Sequence, residues 1–376
     1  MKDIDIEKAK KLRRQLHERP EISNEEKETA NIIKKSVMEY GPDEIIENIG
    51  GNGLIFIFDS KIPGKNILIR ADMDALKVKE ISDAPYRSIY EDKGHLCGHD
   101  GHSASLVLFS SIVRENLKKG KIILVFQGEE ETGKGAEKIV NDDRIKNLNI
   151  DYCFSYHNIP GEKEGTVLIP KREFACASTG IIISLQGKTS HAAYPENGIN
   201  PSAAIGELLI FLNDINRSKY QDFFLSTIVG ARLGDKTFGT SCGEGEVMAT
   251  IRSSSDETLE NMSKDIEEKV KNISEKYNLK FNVEYIEPFP ATNNDKEALY
   301  YVKKAASDLG FKIKELSEPF RWSEDFGYFT KKYKGAMIGI GIGKDKPYLH
   351  TPNYDFNDNI LEISAKLWGQ LVKEIS

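Results

Sequence analysis

Short apolar runs alternate with a helical pattern over the first 174 residues, and this alternation limits the fold more than any other feature. The runs Gly53–Phe58, Lys65–Arg70, Lys121–Phe126 and Asp151–Ser155 predict strands. Between them, Ser103–Asn116 has the apolar spacing of a helix. Strands that alternate with helices predict an α/β fold with a mostly parallel central sheet.

From about residue 175 the pattern changes to a βαββαβ order. The predicted strands and helices of this part are Gly180–Gln186, Pro201–Asn213, Thr227–Arg232, Glu246–Arg252, Asp256–Tyr277 and Lys280–Ile286. After Pro288 the earlier helix and strand pattern returns. We therefore expect one larger domain in two segments, 1–174 and 289–376, and an inserted α+β, ferredoxin-like lid domain over 175–288.

Composition narrows the class of protein. A chain of 376 residues suits two domains better than one core. The net charge of −7 argues against nucleic acid or an anionic membrane as the main partner. There is no signal-like apolar run near the first residues and no stretch of membrane-spanning length. Four cysteines without a CxxC pair indicate a reduced, cytoplasmic setting.

Five of the seven histidines fall in three short segments that also carry other metal-binding side chains. One segment holds His95, Cys97, His99 and His102, and the others hold His157 and His350. Thiolate, imidazole and carboxylate are the ligands that zinc and its first-row neighbours prefer. This clustering predicts a metallohydrolase. Because too many imidazoles would crowd one ion, we expect His95 and His102 to support the ligands rather than bind metal.

Three consecutive glutamates, Glu129, Glu130 and Glu131, directly follow a predicted strand. By themselves they would read as a solvated acidic turn, just as a lone cysteine more often packs as a small hydrophobe. The end of a strand is, however, where α/β sheets carry their sites. Adjacent carboxylates can divide the work, one as a metal ligand and its neighbour as a base.

Several motifs, in order along nearly the whole chain, resemble those of the M20 metallopeptidases. The likeness is to the aminoacylase/amidohydrolase branch, which includes hippurate hydrolases, N-acetyldiaminopimelate deacetylases and auxin-conjugate hydrolases. The matching stretches are Leu16–Glu21, Arg70–Leu76, His95–His102, Phe126–Gly133, His157–Pro160, Ser190–Pro195, Ser323–Phe326 and His350–Pro352. The resemblance implies a Zn-peptidase-like catalytic domain with an inserted lid.

The resemblance also implies the composition of the site. It implies two divalent metal ions with these ligands: Cys97 as the bridge, His99, Glu131, His157 and His350. The chemistry of these ligands favours zinc or manganese and also admits nickel or cobalt. Other roles implied are the base Glu130, the lid donor His191 and supporting residues, which are Asp74, His95, His102, Glu324 and Asp325. Asp72 stands where other branches carry a histidine ligand and is not assigned as one. Arg252 is a candidate anchor for a substrate carboxylate, although an ordinary surface role is about equally plausible.

Two departures from the family pattern concern the substrate. Gly239 lies where relatives commonly carry an Asn in the lid, so a donor is missing or comes from Thr240 or Ser241. Gly128 and Glu129 replace the usual Pro-Ala. Both changes leave the reaction intact and the identity of the substrate open.

We expect hydrolysis of the amide bond of an N-acyl amino acid or a similar small amide by an activated water, with Glu130 as general base. The alternative is a metal-dependent dipeptidase or carboxypeptidase. A binding protein that has kept the fold is less favoured, because Glu130 and all the ligands are present. A homodimer formed through the lid domain is a further expectation.

Overall fold

The computed structural model describes residues 2–215 and 220–376. The chain divides into two compact units. The larger unit comprises Met1–Phe174, Thr292–Pro319 and Glu324–Ser376, and the smaller unit comprises Ala175–Ala291 and Phe320–Ser323.

The helices and strands fall into three groups along the chain. The first segment of the larger unit holds α1 (Asp3–Glu18), α2 (Lys27–Met38), β1 (Glu44–Ile49), β2 (Gly53–Asp59), β3 (Asn66–Asp72), α3 (His99–Ser110), α4 (Val113–Asn116), β4 (Lys121–Gln127), α5 (Gly135–Asn141), α6 (Asp143–Lys146), β5 (Tyr152–Pro160) and β6 (Val167–Pro170). The smaller unit holds β7 (Ala177–Gln186), β8 (Ser190–His191), α7 (Ser202–Asn213), β9 (Phe224–Leu233), β10 (Thr240–Ser241), β11 (Glu244–Ser253), α8 (Asp256–Lys276) and β12 (Lys280–Phe289). The later part of the larger unit holds α9 (Lys296–Asp308), β13 (Ile313–Leu316), α10 (Gly327–Lys332), β14 (Lys334–Gly343) and α11 (Asn359–Ile375).

The sheet of the larger unit confirms the predicted α/β class. Over the described residues its strand order is β1-β2-β4-β3-β5-β14-β6-β13. The central strands β4, β3, β5 and β14 are parallel to one another, and β13 is parallel to β6. Antiparallel pairings occur where β1 joins β2, β2 joins β4, and β6 joins β14. The parallel centre brings the carboxyl ends of four strands to one edge of the sheet.

The core of this unit covers both faces of the sheet. The central strands are buried almost throughout, as expected for parallel strands covered by helices. Helix α3 is buried on every side and begins at His99, four residues before the predicted start at Ser103. Its first turn, His99–His102, contributes no residue to the apolar spacing, so the sequence pattern missed it. The predicted helix to Asn116 is also divided, because α3 ends at Ser110 and α4 covers Val113–Asn116. Among the described helices, none combines the length and the apolar character needed to cross a membrane.

The smaller unit confirms the predicted ferredoxin-like α+β fold. Its sheet has the order β12-β7-β11-β9 with antiparallel pairing throughout. Alternate strand residues, including Ile181, Ile183, Val247 and Ile251, form one apolar core with residues of α7 and α8. Ser255 caps α8 by accepting a hydrogen bond from the backbone N–H of Thr258.

Candidate active site

The polar residues of the site lie at the carboxyl edge of the parallel strands. Asp72 ends β3 and Asp74 follows it, the three glutamates follow β4, and His157 lies in the last half of β5. Cys97 and His99 lie at the start of α3, whereas His350 follows β14 by a loop. This edge is where open α/β sheets bind their ligands.

Two groups of potential metal ligands share the sulfur of Cys97. One group is Cys97, His99 and His157, and the other is Cys97, Glu131 and His350. The Cys97 Sγ lies 3.5 Å from His157 Nε2 and 3.3 Å from His350 Nε2. The His350 Nε2 is also 3.5 Å from Glu131 Oε1. Separations of this size are those of atoms bound to one ion at about 2.0–2.3 Å.

Hydrogen bonds fix the orientation of two of these imidazoles. The Nδ1–H of His99 donates to the carbonyl oxygen of Asp74 at 3.0 Å, and that of His157 donates to the carbonyl of Asn158 at 2.9 Å. Since a carbonyl only accepts, each ring in its neutral form presents the lone pair of Nε2 to the cluster. Within the described residues, His99 Nε2 and Glu131 Oε1 are buried without a hydrogen-bond partner. Buried acceptors without partners, beside a thiol, fit a metal site.

Asp74 connects two of these candidate ligands. Its carboxylate lies 3.2 Å from His99 Nδ1 and accepts from the backbone N–H of Glu131 at 3.0 Å. The hydroxyl of Ser23 donates to the same carboxylate at 2.8 Å. One buried carboxylate therefore contacts both a ring and a backbone segment, which is the arrangement of a residue that orients metal ligands.

Glu130 is buried beside the metal-ligand groups. Its Oε1 accepts from the backbone N–H of Asp325 at 3.3 Å, and its Oε2 lies 3.9 Å from His99 Nε2. Burial, together with the neighbouring Glu324 and Glu131, raises the pKa of Glu130 well above its usual range. A carboxylate with a raised pKa is suited to accept and return a proton near neutral pH.

A fully buried arginine balances the acidic residues around Glu130. Arg70 lies 2.7 Å from Asp72, 3.1 Å from Glu324 and 2.7 Å from Asp325. Its Nε also donates to Gln127 Oε1 at 2.9 Å. The sequence assigned no role to Arg70, although it begins the matching stretch Arg70–Leu76 and follows the apolar residues of β3. Removal of such a partner leaves buried charges uncompensated.

Glu129, the first of the three glutamates, does not belong to the groups of potential metal ligands among the described residues. Glu129 has a φ of 61°, in the left-handed region, and its backbone N–H donates to Glu26 Oε1 at 2.8 Å. Its carboxylate pairs with Lys138. The turn therefore separates Glu129 from Glu130 and Glu131, which both lie with His99 in one group of potential ligands.

The remaining two histidines of the His95–His102 segment differ from each other. His102 Nδ1–H donates to Asp72 at 2.6 Å, and its Nε2 accepts from the backbone N–H of Asn158 at 3.3 Å, so both nitrogens are used. His95 is buried, and in the described part of the chain neither of its nitrogens has a hydrogen-bond partner. Burial lowers the pKa of His95 to about 4, so this ring is neutral.

The protonation of the ligands depends on burial. Burial raises the pKa of the Cys97 thiol well above its usual range, and burial raises the pKa of Glu131 to about 7. Without an ion, the Cys97 thiol is protonated and Glu131 is partly protonated near neutral pH. Metal binding requires the deprotonated forms and therefore releases protons.

Two candidate residues lie in the smaller unit. His191 is exposed in β8, opposite Thr240 of β10, and its Nδ1 accepts from the backbone N–H of Ala193 at 3.0 Å. The neutral ring therefore carries its hydrogen on Nε2 and presents a donor. Arg252 lies in β11, and its Nη1 donates to the carbonyl of Arg321 at 3.3 Å and to the hydroxyl of Ser323 at 3.0 Å.

Gly239, where the family pattern commonly has an Asn, lies beside the His191 segment. The carbonyl of Gly239 accepts from the backbone N–H of Ala192 at 2.9 Å. A Cβ added to Gly239 would meet no atom within 4 Å. Ser241 accepts from Asn200 at 3.0 Å, whereas Thr240 is exposed and lies opposite His191. The structure therefore has space for a larger side chain at residue 239, so crowding does not explain the glycine.

Comparison with known proteins relates this geometry to a family. The family model of peptidase family M20/M25/M40 matches residues 68–374. The chain is 30% identical to a hippurate hydrolase of Campylobacter jejuni, over 96% of this chain and 94% of the relative. It is 31% identical to an N-acetyl-L-cysteine deacetylase of Bacillus subtilis, over 93% of this chain and 84% of the relative.

A solved structure supports the fold. The YXEP protein of Bacillus subtilis, described as a dinuclear metal-binding peptidase of the M20 family, has a TM-score of 0.86 to this chain. The two are 24% identical and the match covers 100% of this chain and 99% of that one, so the likeness concerns the fold. With the matching family model and the clustered ligands, the chain belongs to peptidase family M20/M25/M40 and is a metal-dependent amide hydrolase.

Proposed function

We propose that this enzyme hydrolyses the amide bond of N-acyl amino acids at a site for two metal ions bridged by Cys97. The observation that carries the proposal is the sulfur shared by two groups of potential ligands. His99 and His157 complete one group, and Glu131 and His350 complete the other. A ligand that belongs to two adjacent groups is suited to bridge two ions.

The metals would polarise the amide carbonyl and lower the pKa of an attacking water. The protein supplies the proton transfers. Because Oε1 of Glu130 is held by the backbone N–H of Asp325, Oε2 is left to take the proton of the attacking water. The same oxygen then returns that proton to the leaving nitrogen, so Glu130 ends the reaction in its starting state.

The residues of the smaller unit would act on the substrate. We assign to His191 Nε2–H the donation of a hydrogen bond to the oxyanion of the transition state, because Ala193 fixes the required tautomer. We assign to Arg252 the binding of the substrate carboxylate. Its Nη1 is held by Arg321 and Ser323, and among the described residues no carboxylate forms an ion pair with its guanidinium. The remaining guanidinium donors can therefore bind a carboxylate from the substrate.

The acyl amino acid substrate is supported by the relatives. One relative is a hippurate hydrolase and another is an N-acetyl-L-cysteine deacetylase, and both names describe cleavage of an acyl group from an amino acid. We extend that substrate class to this chain, with zinc or manganese as the metal and the cytoplasm as its place of action. The thiolate favours zinc, and the carboxylate and imidazoles also accept manganese.

A homodimer through the smaller unit is also part of the proposal. The strand β9 is at the edge of the four-stranded sheet and exposes Ile228, Val229 and Leu233. An exposed apolar edge strand is a ready surface for pairing with a second copy. Sedimentation equilibrium should give twice the chain mass, and a monomer at all concentrations would contradict this part.

A screen of metals and substrates tests the function. Metal-free protein should be loaded in turn with zinc, manganese, nickel and cobalt and assayed on N-benzoyl and N-acetyl amino acids and on dipeptides of the same residues. We expect the highest kcat/KM on an N-acyl amino acid and complete loss of turnover with a chelator. A higher kcat/KM on dipeptides would instead identify a dipeptidase. Turnover that persists without metal would refute the proposed chemistry.

A further inference from the structure

A second buried ionic network centres on Arg13 of α1 and includes Asp100, which directly follows the candidate ligand His99. The Arg13 side chain is 0% exposed. Its Nε donates to Asp358 at 2.7 Å, and its Nη1 donates to Asp355 at 2.8 Å and lies 3.4 Å from Asp100. The guanidinium also lies 4.5 Å from the centre of the Tyr86 ring. One cation thus joins Asp100 to two carboxylates, Asp355 and Asp358, that lie more than 250 residues further along the chain.

The three carboxylates belong to the two segments that carry candidate ligands. Asp100 directly follows His99, in the first turn of α3. Asp355 and Asp358 follow His350, and Asp358 directly precedes α11. The two segments also meet through the backbone, where the N–H of His350 donates to the carbonyl of Leu96 at 2.8 Å.

We infer that Arg13 is a positioning residue that holds the His350 segment against the Cys97–His99 segment at the spacing that metal binding requires. The inference rests on the ligand set of the proposed function. The 3.3 Å separation of Cys97 Sγ and His350 Nε2 needs a fixed distance between these segments. Asp100 would keep one partner without the guanidinium, because His17 Nδ1 lies 2.8 Å from its carboxylate. Asp355 and Asp358 would lose their buried cation, and the ionic link between the two segments would be lost with it.

The geometry requires an arginine at this position. The planar fork reaches Asp358 through Nε and both Asp355 and Asp100 through Nη1. A lysine ammonium keeps the charge and has three donors, but it is a compact point charge on a flexible stem and lacks the planar fork that spans both segments. The neighbouring Arg14 offers a matched control, because it donates to the same Asp358 at 2.8 Å from a side chain that is 48% exposed.

The experiment measures metal binding rather than turnover. Full-length wild type, Arg13→Lys, Arg14→Lys and Asp355→Asn are freed of metal, checked for folding by circular dichroism, and titrated with zinc against a chromophoric chelator. We expect Arg13→Lys to bind zinc about 10–100-fold more weakly in at least one of two sites, as is usual when a group supporting a ligand is lost. Arg14→Lys should match wild type.

Asp355→Asn keeps the inference testable if Arg13→Lys does not fold. Asp355 is 25% exposed, so its loss of charge is easier to tolerate, and it removes one contact of Arg13 on the His350 side. We expect weaker zinc binding here as well. Folded Arg13→Lys and Asp355→Asn proteins with wild-type zinc affinity and stoichiometry would overturn the positioning role. A wild-type protein that binds no zinc, manganese, nickel or cobalt would instead refute the proposed function on which the inference rests.

Discussion

Gly98 separates two candidate ligands, and replacing it with alanine tests how tightly the ligand turn is packed. Gly98 has a φ of 95°, where an alanine costs about 1–2 kcal/mol. The added methyl would lie 2.6 Å from Asn158 Oδ1 and 2.7 Å from Tyr354 Oη. These side chains are joined by a 2.6 Å hydrogen bond, so neither can move freely. Overpacking of this kind adds about 1–3 kcal/mol.

The expected loss of unfolding free energy for Gly98→Ala is therefore about 2–5 kcal/mol. The matched control is Gly161→Ala, because Gly161 has a φ of 80° but no atom within 4 Å of the added Cβ. The control should lose only the backbone part, about 1–2 kcal/mol. Chemical denaturation of both variants measures the difference, and zinc titration should show weaker binding only for Gly98→Ala. Equal losses in the two variants would refute the packing argument.

The other predictions concern catalysis and pH. Glu130→Gln should keep the metal and lose most turnover, whereas Glu131→Ala should lose metal. Glu129→Gln should retain activity, because the Glu129 carboxylate pairs with Lys138. Metal analysis with steady-state kinetics checks these outcomes, and reversed phenotypes for Glu130 and Glu131 would shift the assignment by one residue. His191→Ala should lower kcat strongly with a smaller change in KM and full metal content, because an oxyanion donor acts mainly in the transition state, and an unchanged kcat would remove the residue from the mechanism. Burial alone would lower the pKa of His17, but the charge of Asp100 and hydrogen bonds to Asp100 and Glu80 raise it to about 9. Its stabilising contribution is thus complete below about pH 6.5 and disappears as the pH rises through 9, so wild type should lose about 3 kcal/mol more than His17→Gln between pH 6 and 10. Parallel urea titrations test this, and equal losses would contradict it.

The elements predicted from sequence were those with strong local patterns. The apolar runs that became β2, β3 and β4 are buried on both faces, so their composition alone identified them. The strand β1 mixes charged and apolar residues at the edge of the sheet, and β13 is only Ile313–Leu316. Such edge strands are defined by pairing with a neighbour rather than by their own residues, and the sequence pattern did not reveal them.

In the candidate site, too, some residues could be predicted from local sequence and others could not. Cys97, His99 and His157 were predicted because ligand side chains cluster within recognisable motifs, and the structure brings them together. The supporting charges gave no such signal. Arg70 and Asp325 are 255 residues apart, and Arg13 is 345 residues from Asp358. Partners at such distances are recognisable only once the chain has folded.

The split of the larger unit has a consequence for the order of folding during synthesis. The smaller unit needs little beyond Ala291, so it can fold while the ribosome is still making the rest of the chain. The larger sheet cannot be completed at that stage, because β14 pairs with β5 across the whole insertion. Until Lys334–Gly343 emerges, β5 has an open edge that another nascent chain could occupy. The last of the proposed ligands to be synthesised is His350, so the proposed ligand set is assembled only after the final strand has closed that edge.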